Sequence, residues 1–177
     1  MPRIKNLEDP EDAQDAATKN YVDTQSPGAT QAYGYIYSAT GLPNTPVVNS
    51  VWTKLLATTI NPGFMDSFDT GALPTNNLLR YTGSNSITVS ASVNISCAAF
   101  PTSGFNIGVS VFKNGSMIPG SDLYFGTYSN IFTNISINTF TGMSTFDTLE
   151  VYVLMTATGT IETISLNNFM QFSVQQV

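Results

Sequence analysis

The stretch Ser86-Ile87-Thr88-Val89-Ser90-Ala91-Ser92-Val93-Asn94-Ile95-Ser96-Cys97-Ala98 decides the fold. Its apolar residues, Ile87, Val89, Ala91, Val93, Ile95 and Cys97, fall on every second position, with Thr88, Ser90, Ser92, Asn94 and Ser96 between them. Successive side chains of a strand point to opposite faces, whereas a helix repeats at three and four. The alternation therefore predicts an unusually long antiparallel strand with one face in a core and one face polar.

The same period extends outward in both directions. Phe105, Ile107, Val109 and Val111 alternate up to Lys113-Asn114-Gly115-Ser116. Asn-Gly accepts two positive φ angles, which predicts a type I′ hairpin turn there. Within residues 128–140, Ile131, Thr133, Ile135 and Ile137 alternate with Phe132, Asn134, Ser136 and Asn138. Leu149, Val151, Val153 and Met155 form another strand, and Met170, Phe172 and Val174 share one face of a last one. On the N-terminal side, Tyr33, Tyr35 and Tyr37 alternate with Gly34, Ile36 and Ser38. This amounts to about eight to ten strands separated by turn signals, with no amphipathic helix from residue 32 onward. The fold class is all-β, an antiparallel β-sandwich or jelly roll.

The residues before Tyr33 are a different material. The chain has 177 residues, 42% of them hydrophobic, which suits one domain with a sizeable core. Only 10% are charged, against about 25% in an average soluble domain. Nine of the eighteen charges lie in residues 1–24. There Asp9 before Pro10 is a helix start, an N-cap followed by proline at the first helical position. Ala13, Ala16, Ala17 and Tyr21 recur at helical spacing in a narrow stripe. A helix of three to four turns is marginal alone, so the stripe must pack on copies of itself, on another protein or back on the body. Residues 24–31, rich in Pro, Gly, Ser and Thr, make a linker. The expected organisation is an N-terminal segment, 1–31, with a short helix and linker, and a β-rich domain, 32–177.

Composition excludes several classes. A net charge of −6 argues against nucleic acid, which needs clustered Lys and Arg. The sequence has no His, the commonest general base and metal ligand. A single cysteine, Cys97, forms no intrachain disulfide and reads as a small apolar strand residue. No apolar run approaches the roughly 18 residues of a membrane span. Met1-Pro2-Arg3-Ile4-Lys5 lacks a secretory leader, so the expected site of folding is a reducing cytoplasm, where Asn94, Asn114 and Asn134 in their sequons carry no sugar.

Signals for catalysis are thin. Ser110-Val111-Phe112-Lys113 fits S-x-x-K, yet in a strand residues three apart face opposite ways. Asp66 and Asp69 are the best carboxylate pair, either a calcium site or hydrolase dyad or, more simply, two turn-capping aspartates. Asp147 and Glu150 flank a strand start and read as solvated. No catalytic residue, metal site or cofactor is expected. Trp52, beside Lys54, reads as a core or subunit-contact aromatic or as a sugar platform, and Tyr33, Tyr35 and Tyr37 as one face lining a subunit contact or binding glycan.

The polar strand faces carry Ser, Thr and Asn where a monomer normally keeps Lys and Glu to block association. Three alternatives follow. The flanks are buried against identical copies, or the surface meets sugars outside a cell, or the domain is an ordinary acidic sandwich whose few charges suffice.

Two resemblances bear on these alternatives. Leu7-Glu8-Asp9-Pro10 with Asp12, followed by Gln14-Asp15-Ala16-Ala17-Thr18-Lys19-Asn20-Tyr21-Val22-Asp23, resembles a motif of tailed-phage fibre and virion-appendage proteins, over about 17 residues. The rest is similar to the C1q/TNF-like trimeric jelly rolls. The carrying residues are Arg80-Tyr81-Thr82-Gly83 leading into Ile87–Val93, then Val109–Gly115 and Asp147–Val153. Together they imply a bacteriophage structural protein on the virion surface: a short homotrimeric fibre, spike or capsid decoration, such as a head or tail fibre, with a jelly-roll head. Residues 1–31 would dock on a capsid or tail protein, through Ile4, Leu7, Ala13, Ala16, Ala17, Tyr21 and Val22. The motif's closeness to Met1 favours a compact appendage. The alternative implied function is a head that binds a host receptor or glycan in host attachment. Neither role is enzymatic.

Overall fold

The apolar alternation sets the strands of the described residues, because each pleated face must be buried or wet as a whole. The computed structural model describes residues 31–38, 45–55, 61–71, 78–99, 105–127, 133–156 and 161–177. In chain order the strands are β1 Tyr33–Ser38, β2 Thr45–Val48, β3 Thr53–Lys54, β4 Asn61–Asp66, β5 Phe68–Asp69, β6 Leu78–Tyr81 and β7 Ile87–Ala99. They continue as β8 Phe105–Lys113, β9 Ser116–Met117, β10 Leu123–Thr127, β11 Thr133–Met143, β12 Thr148–Thr156 and β13 Ile161–Gln176. No helix occurs among the described residues. The predicted helix and its residues Ile4, Leu7, Ala13, Ala16, Ala17, Tyr21 and Val22 lie outside them.

The strands form two antiparallel sheets. The first has the order β11-β7-β13-β1-β4, with β2 alongside β13. The second has the order β10-β8-β12-β6-β5, with β3 on β12 and β9 on β8. One core lies between them. The first sheet contributes Ile36, Val89, Ala91, Val93, Ile95, Ile135, Ile137, Met170, Phe172 and Val174. The second contributes Leu79, Tyr81, Ile107, Val109, Val111, Leu149, Val151, Val153 and Met155. These are the residues that the two-residue period selects, and the architecture is the jelly-roll sandwich that their spacing predicted.

Three details go beyond the sequence pattern. The strands are more numerous than expected, because short pieces such as β3, β5 and β9 pair along the flanks of longer ones. Strand β13 is sixteen residues long and begins well before Phe169. Its register against β7 shifts between Leu166 and Met170, which span two partner positions on β7. The insertion is even in number, so Met170, Phe172 and Val174 keep facing the core. The hairpin after β8 is the expected type I′ turn: Asn114 has φ 50° and Gly115 φ 76°.

Candidate functional site

The outer face of the first sheet is built by strand register. Tyr33 on β1 stands beside Gln175 on β13, Ser90 on β7 and Phe140 on β11. The next row is Tyr35, Ser173, Ser92 and Asn138, and the third is Tyr37, Gln171, Asn94 and Ser136. Asn61 and Asp66 extend the third and first rows onto β4. The three tyrosines are therefore one column on one face, as their spacing predicted. Tyr35 and Tyr37 stack with ring centroids 5.6 Å apart, and the Tyr35 ring lies over Gly63 of β4. Ser92 donates a hydrogen bond to Asn138 across the β7–β11 pair. Phe140 stands 65% exposed on the edge strand.

Charge is distributed unequally between the sheets. Every ion pair among the described residues joins strands or turns of the second sheet. Arg80 on β6 donates to both carboxylate oxygens of Asp69 on β5, at 2.9 and 2.7 Å. Lys113 at the end of β8 meets Asp147 at 2.8 Å, and Lys54 on β3 meets Glu150 on β12. The three rows of the first sheet contain one charged residue, Asp66, at their β4 margin.

The second sheet's outer face carries an aromatic cluster. Phe112 on β8 stacks on Tyr152 on β12 with centroids 3.9 Å apart. Trp52 tilts against Phe112 at 5.8 Å and against Tyr124 on β10 at 6.0 Å. Gly108 lies beneath them: a Cβ there would sit 2.9 Å from Tyr124 and 3.1 Å from Trp52. Glycine is required where rings lie this close to the backbone. Trp52 thus belongs to the opposite face of the sandwich from Tyr33, Tyr35 and Tyr37, and the four candidates do not form one site. Burial, followed by the Glu150 charge, pushes the Tyr152 hydroxyl above its ordinary pKa.

The candidate catalytic residues are held in structural contacts. Ser110, fully buried on the outer side of β8, bonds Ser121 at 2.7 Å, and Ser121 also donates to the Val111 carbonyl. Lys113 donates to the Gly142 carbonyl at 2.7 Å, away from Ser110. Asp69 accepts from the Gly71 N–H at 2.9 Å, the turn-capping role, and also binds Arg80. The Arg80 hydrogen bond, against an opposing effect of burial, holds its carboxyl below the ordinary value, with the Gly71 N–H adding to it. Asp66 accepts from Ser67 at 3.0 Å, and Ser67 has a positive φ of 60°. No three His, Cys, Asp or Glu side chains cluster among the described residues. Two open grooves occur there. One of about 310 Å³ follows Asn94–Ile95 and Asn134–Ser136, and one of about 200 Å³ lies between Gly120–Leu123 and Ser136–Asn138. Among their described lining residues Asp122 is the sole charged side chain.

Two corrections concern Asp147 and Glu150, which sequence reasoning placed in solvent. Glu150 is only 8% exposed and is paired with Lys54 of β3, the short strand that lies alongside β12. Asp147 closes a turn: it accepts from the Ser144 N–H and the Asn114 amide, both at 2.7 Å. Burial raises its pKa, but Lys113, Ser144 and Asn114 together outweigh that and hold it below the ordinary value. Nothing local signals the Lys54–Glu150 pair, whose partners are 96 positions apart. Sequence reasoning also missed Phe146, 68% exposed at φ 71° with the Arg80 guanidinium 6.0 Å from its ring.

No protein-family model and no curated protein sequence matches the chain. Solved structures do resemble it. The PRD1 vertex protein P5 matches at 13% identity and TM-score 0.47, over 85% of this chain and 99% of that one. Murine APRIL matches at 9% identity and TM-score 0.43, over 81% and 98%. The Eiger TNF of S. frugiperda matches at 12% identity and TM-score 0.49, over 83% and 92%. The fold itself is read from the strand pairing: two antiparallel sheets packed as a β-sandwich. No helix among the described residues is long and apolar enough to cross a membrane.

Proposed function

We propose that this chain is a structural virion protein, a short homotrimeric fibre, spike or decoration protein, whose β-sandwich is the head and whose residues 1–31 dock on a capsid or tail protein. The observation that carries the assembly part is the outer face of the first sheet. Its three described rows are Tyr, Ser, Asn and Gln with Phe140 at the edge, and their one charge, Asp66, stands at the β4 margin. Subunit contacts are depleted in charge at their centres and enriched in aromatic residues. Hydroxyl and amide groups can pair across such a contact without the desolvation penalty of buried charges. A free surface of that kind, with the long edge strand β11 uncharged from Thr133 to Met143, is unprotected against association. The docking part rests on the fibre-type motif at Leu7–Asp23.

Light scattering on the purified full chain tests the assembly: three times the chain mass is expected, and a monomer at micromolar concentration overturns it. Removing residues 1–24 tests the docking. The shortened protein should keep its oligomeric mass and lose incorporation into virions, and undiminished incorporation overturns the docking role alone.

A further inference from the structure

We propose that Asn114 is a site of spontaneous deamidation and that the turn between β11 and β12 sets its rate. Asn114-Gly115 is the chain's single Asn-Gly step. The chemistry is intramolecular. The Gly115 backbone nitrogen attacks the side-chain carbonyl carbon of Asn114, and its proton passes through water to the departing nitrogen. A ring C–N bond forms, the carboxamide C–N bond breaks and ammonia leaves, which gives a five-membered succinimide. Water then opens one of the two ring carbonyls and leaves aspartate or isoaspartate. Glycine permits the attack best, because no Cβ shields its nitrogen. Both residues are exposed, and a Cβ at Gly115 would meet nothing within 4 Å, so water and the ring have room.

The fold opposes this step by holding the carboxamide. Asn114 Nδ2 donates to Asp147 Oδ1 at 2.7 Å, while Asn114 Oδ1 accepts from the Thr148 N–H at 2.8 Å and from the Thr148 hydroxyl at 3.3 Å. The Asn114 N–H donates to the Thr148 carbonyl at 3.1 Å, so backbone and side chain are fixed to the same segment. The far side of this clamp is itself held. Asp147 Oδ2 accepts from the Ser144 N–H and meets Lys113, and the Asp147 N–H donates to the Ser144 carbonyl. For the ring to close, the carboxamide must leave Asp147 and Thr148 and turn onto the Gly115 nitrogen. Those hydrogen bonds therefore break before any covalent change, and their net worth adds to the barrier. The product undoes the clamp. An aspartate at position 114 has no amide hydrogen to give, and its carboxylate stands where Nδ2 met Asp147. Like charges at hydrogen-bond distance disfavour each other, and Lys113 is left to balance both. The turn that loosens is the one that presents Phe146, 68% exposed at φ 71°.

Peptide mapping of the full chain, aged in mildly alkaline buffer, tests the site. The folded protein should gain aspartate and isoaspartate at position 114 at least about tenfold more slowly than the same chain unfolded in urea. Asp147→Ala should raise the folded rate about fivefold to tenfold. Asp147→Asn, which keeps an oxygen acceptor for Nδ2, should lie between that variant and the wild type. The rate at Asn49-Ser50, outside this turn, should stay the same in all three proteins. A folded rate equal to the unfolded one overturns the proposal, as does an Asp147→Ala rate equal to that of the wild type. Acceleration shared by Asn49 also overturns it, because the protection then belongs to the fold at large. Asn114→Asp, the product made directly, should lower the thermal midpoint by about 2–4 °C, and an unchanged midpoint overturns the weakening of the turn.

Discussion

At the scale of single residues, the clearest lesson comes from the few charges. Asp69 and Asp147 are both held below the ordinary aspartate pKa, by the Arg80 bond in one case and by Lys113, Ser144 and Asn114 outweighing burial in the other. A carboxylate whose folded pKa is depressed adds stability that is complete above its unfolded pKa and is lost as pH falls through the folded one. The urea midpoint should therefore hold steady above about pH 5 and fall below about pH 4, where unfolded aspartates take up protons. Asp147→Asn should shrink that fall, and an equal fall in the variant would show that Asp147 is not one of its sources. The turn-capping part of Asp69 was legible, since Asp two residues before Gly71 is a local signal. The Lys54–Glu150 pair was not, because its geometry exists only after β3 has been laid against β12. Trp52 shows the same limit: its residue type suggested aromatic contacts, but only the pairing of β8, β10 and β12 assigns it to the face opposite the tyrosines.

At the scale of elements, strands with an unbroken two-residue period were legible and interrupted ones were not. β7, β8, β12 and the end of β13 alternate cleanly, and every core position inferred in them whose burial is described is buried, with Ile87 packed at its margin. The first half of β13 was missed because its register shifts between Leu166 and Met170, which breaks the pattern a reader follows. β2 and β4 contain Pro46 and Pro62, which argue against strand in a sequence scan, yet both pair along an edge where proline is tolerated. The central position of β13, paired with β7 on one side and β1 on the other, makes its apolar residues the most sensitive in the sandwich. Phe172, fully buried there, should lose about 3–5 kcal/mol when changed to Ala, a large share of a domain's total stability. Denaturant unfolding followed by circular dichroism measures it. A loss under about 1 kcal/mol would contradict the packing described for β13.

At the scale of the whole molecule, the described side chains are polarised: the ion pairs lie on the second sheet, and the three outer rows of the first sheet hold one charge, Asp66. The uneven use of charge was visible in the sequence, whereas its assignment to one sheet needed the strand order. Ser92, at the centre of the first sheet between Ser173 and Asn138, is where a new charge tests the proposed subunit contact most directly. Ser92→Lys should leave the thermal unfolding of each subunit almost unchanged, because the position faces away from the core. It should nonetheless shift sedimentation from the assembled species toward single chains. An unaltered sedimentation profile would overturn the proposal that this face is a subunit contact.

The strand order also governs when folding can finish. The middle of the first sheet is its last strand in sequence, inserted between β7 and β1. Until Gln176 has left the ribosome, β1 and β7 have no common neighbour, and their apolar faces lack Met170, Phe172 and Val174. A nascent chain therefore cannot close this sheet before β13 has emerged, since the long loops that end on β13 are closed only by that strand. Ribosomes crowded on one message would hold incomplete sandwiches whose uncharged strands are open to one another. Loss of β13 would therefore remove the sheet's centre instead of trimming its edge.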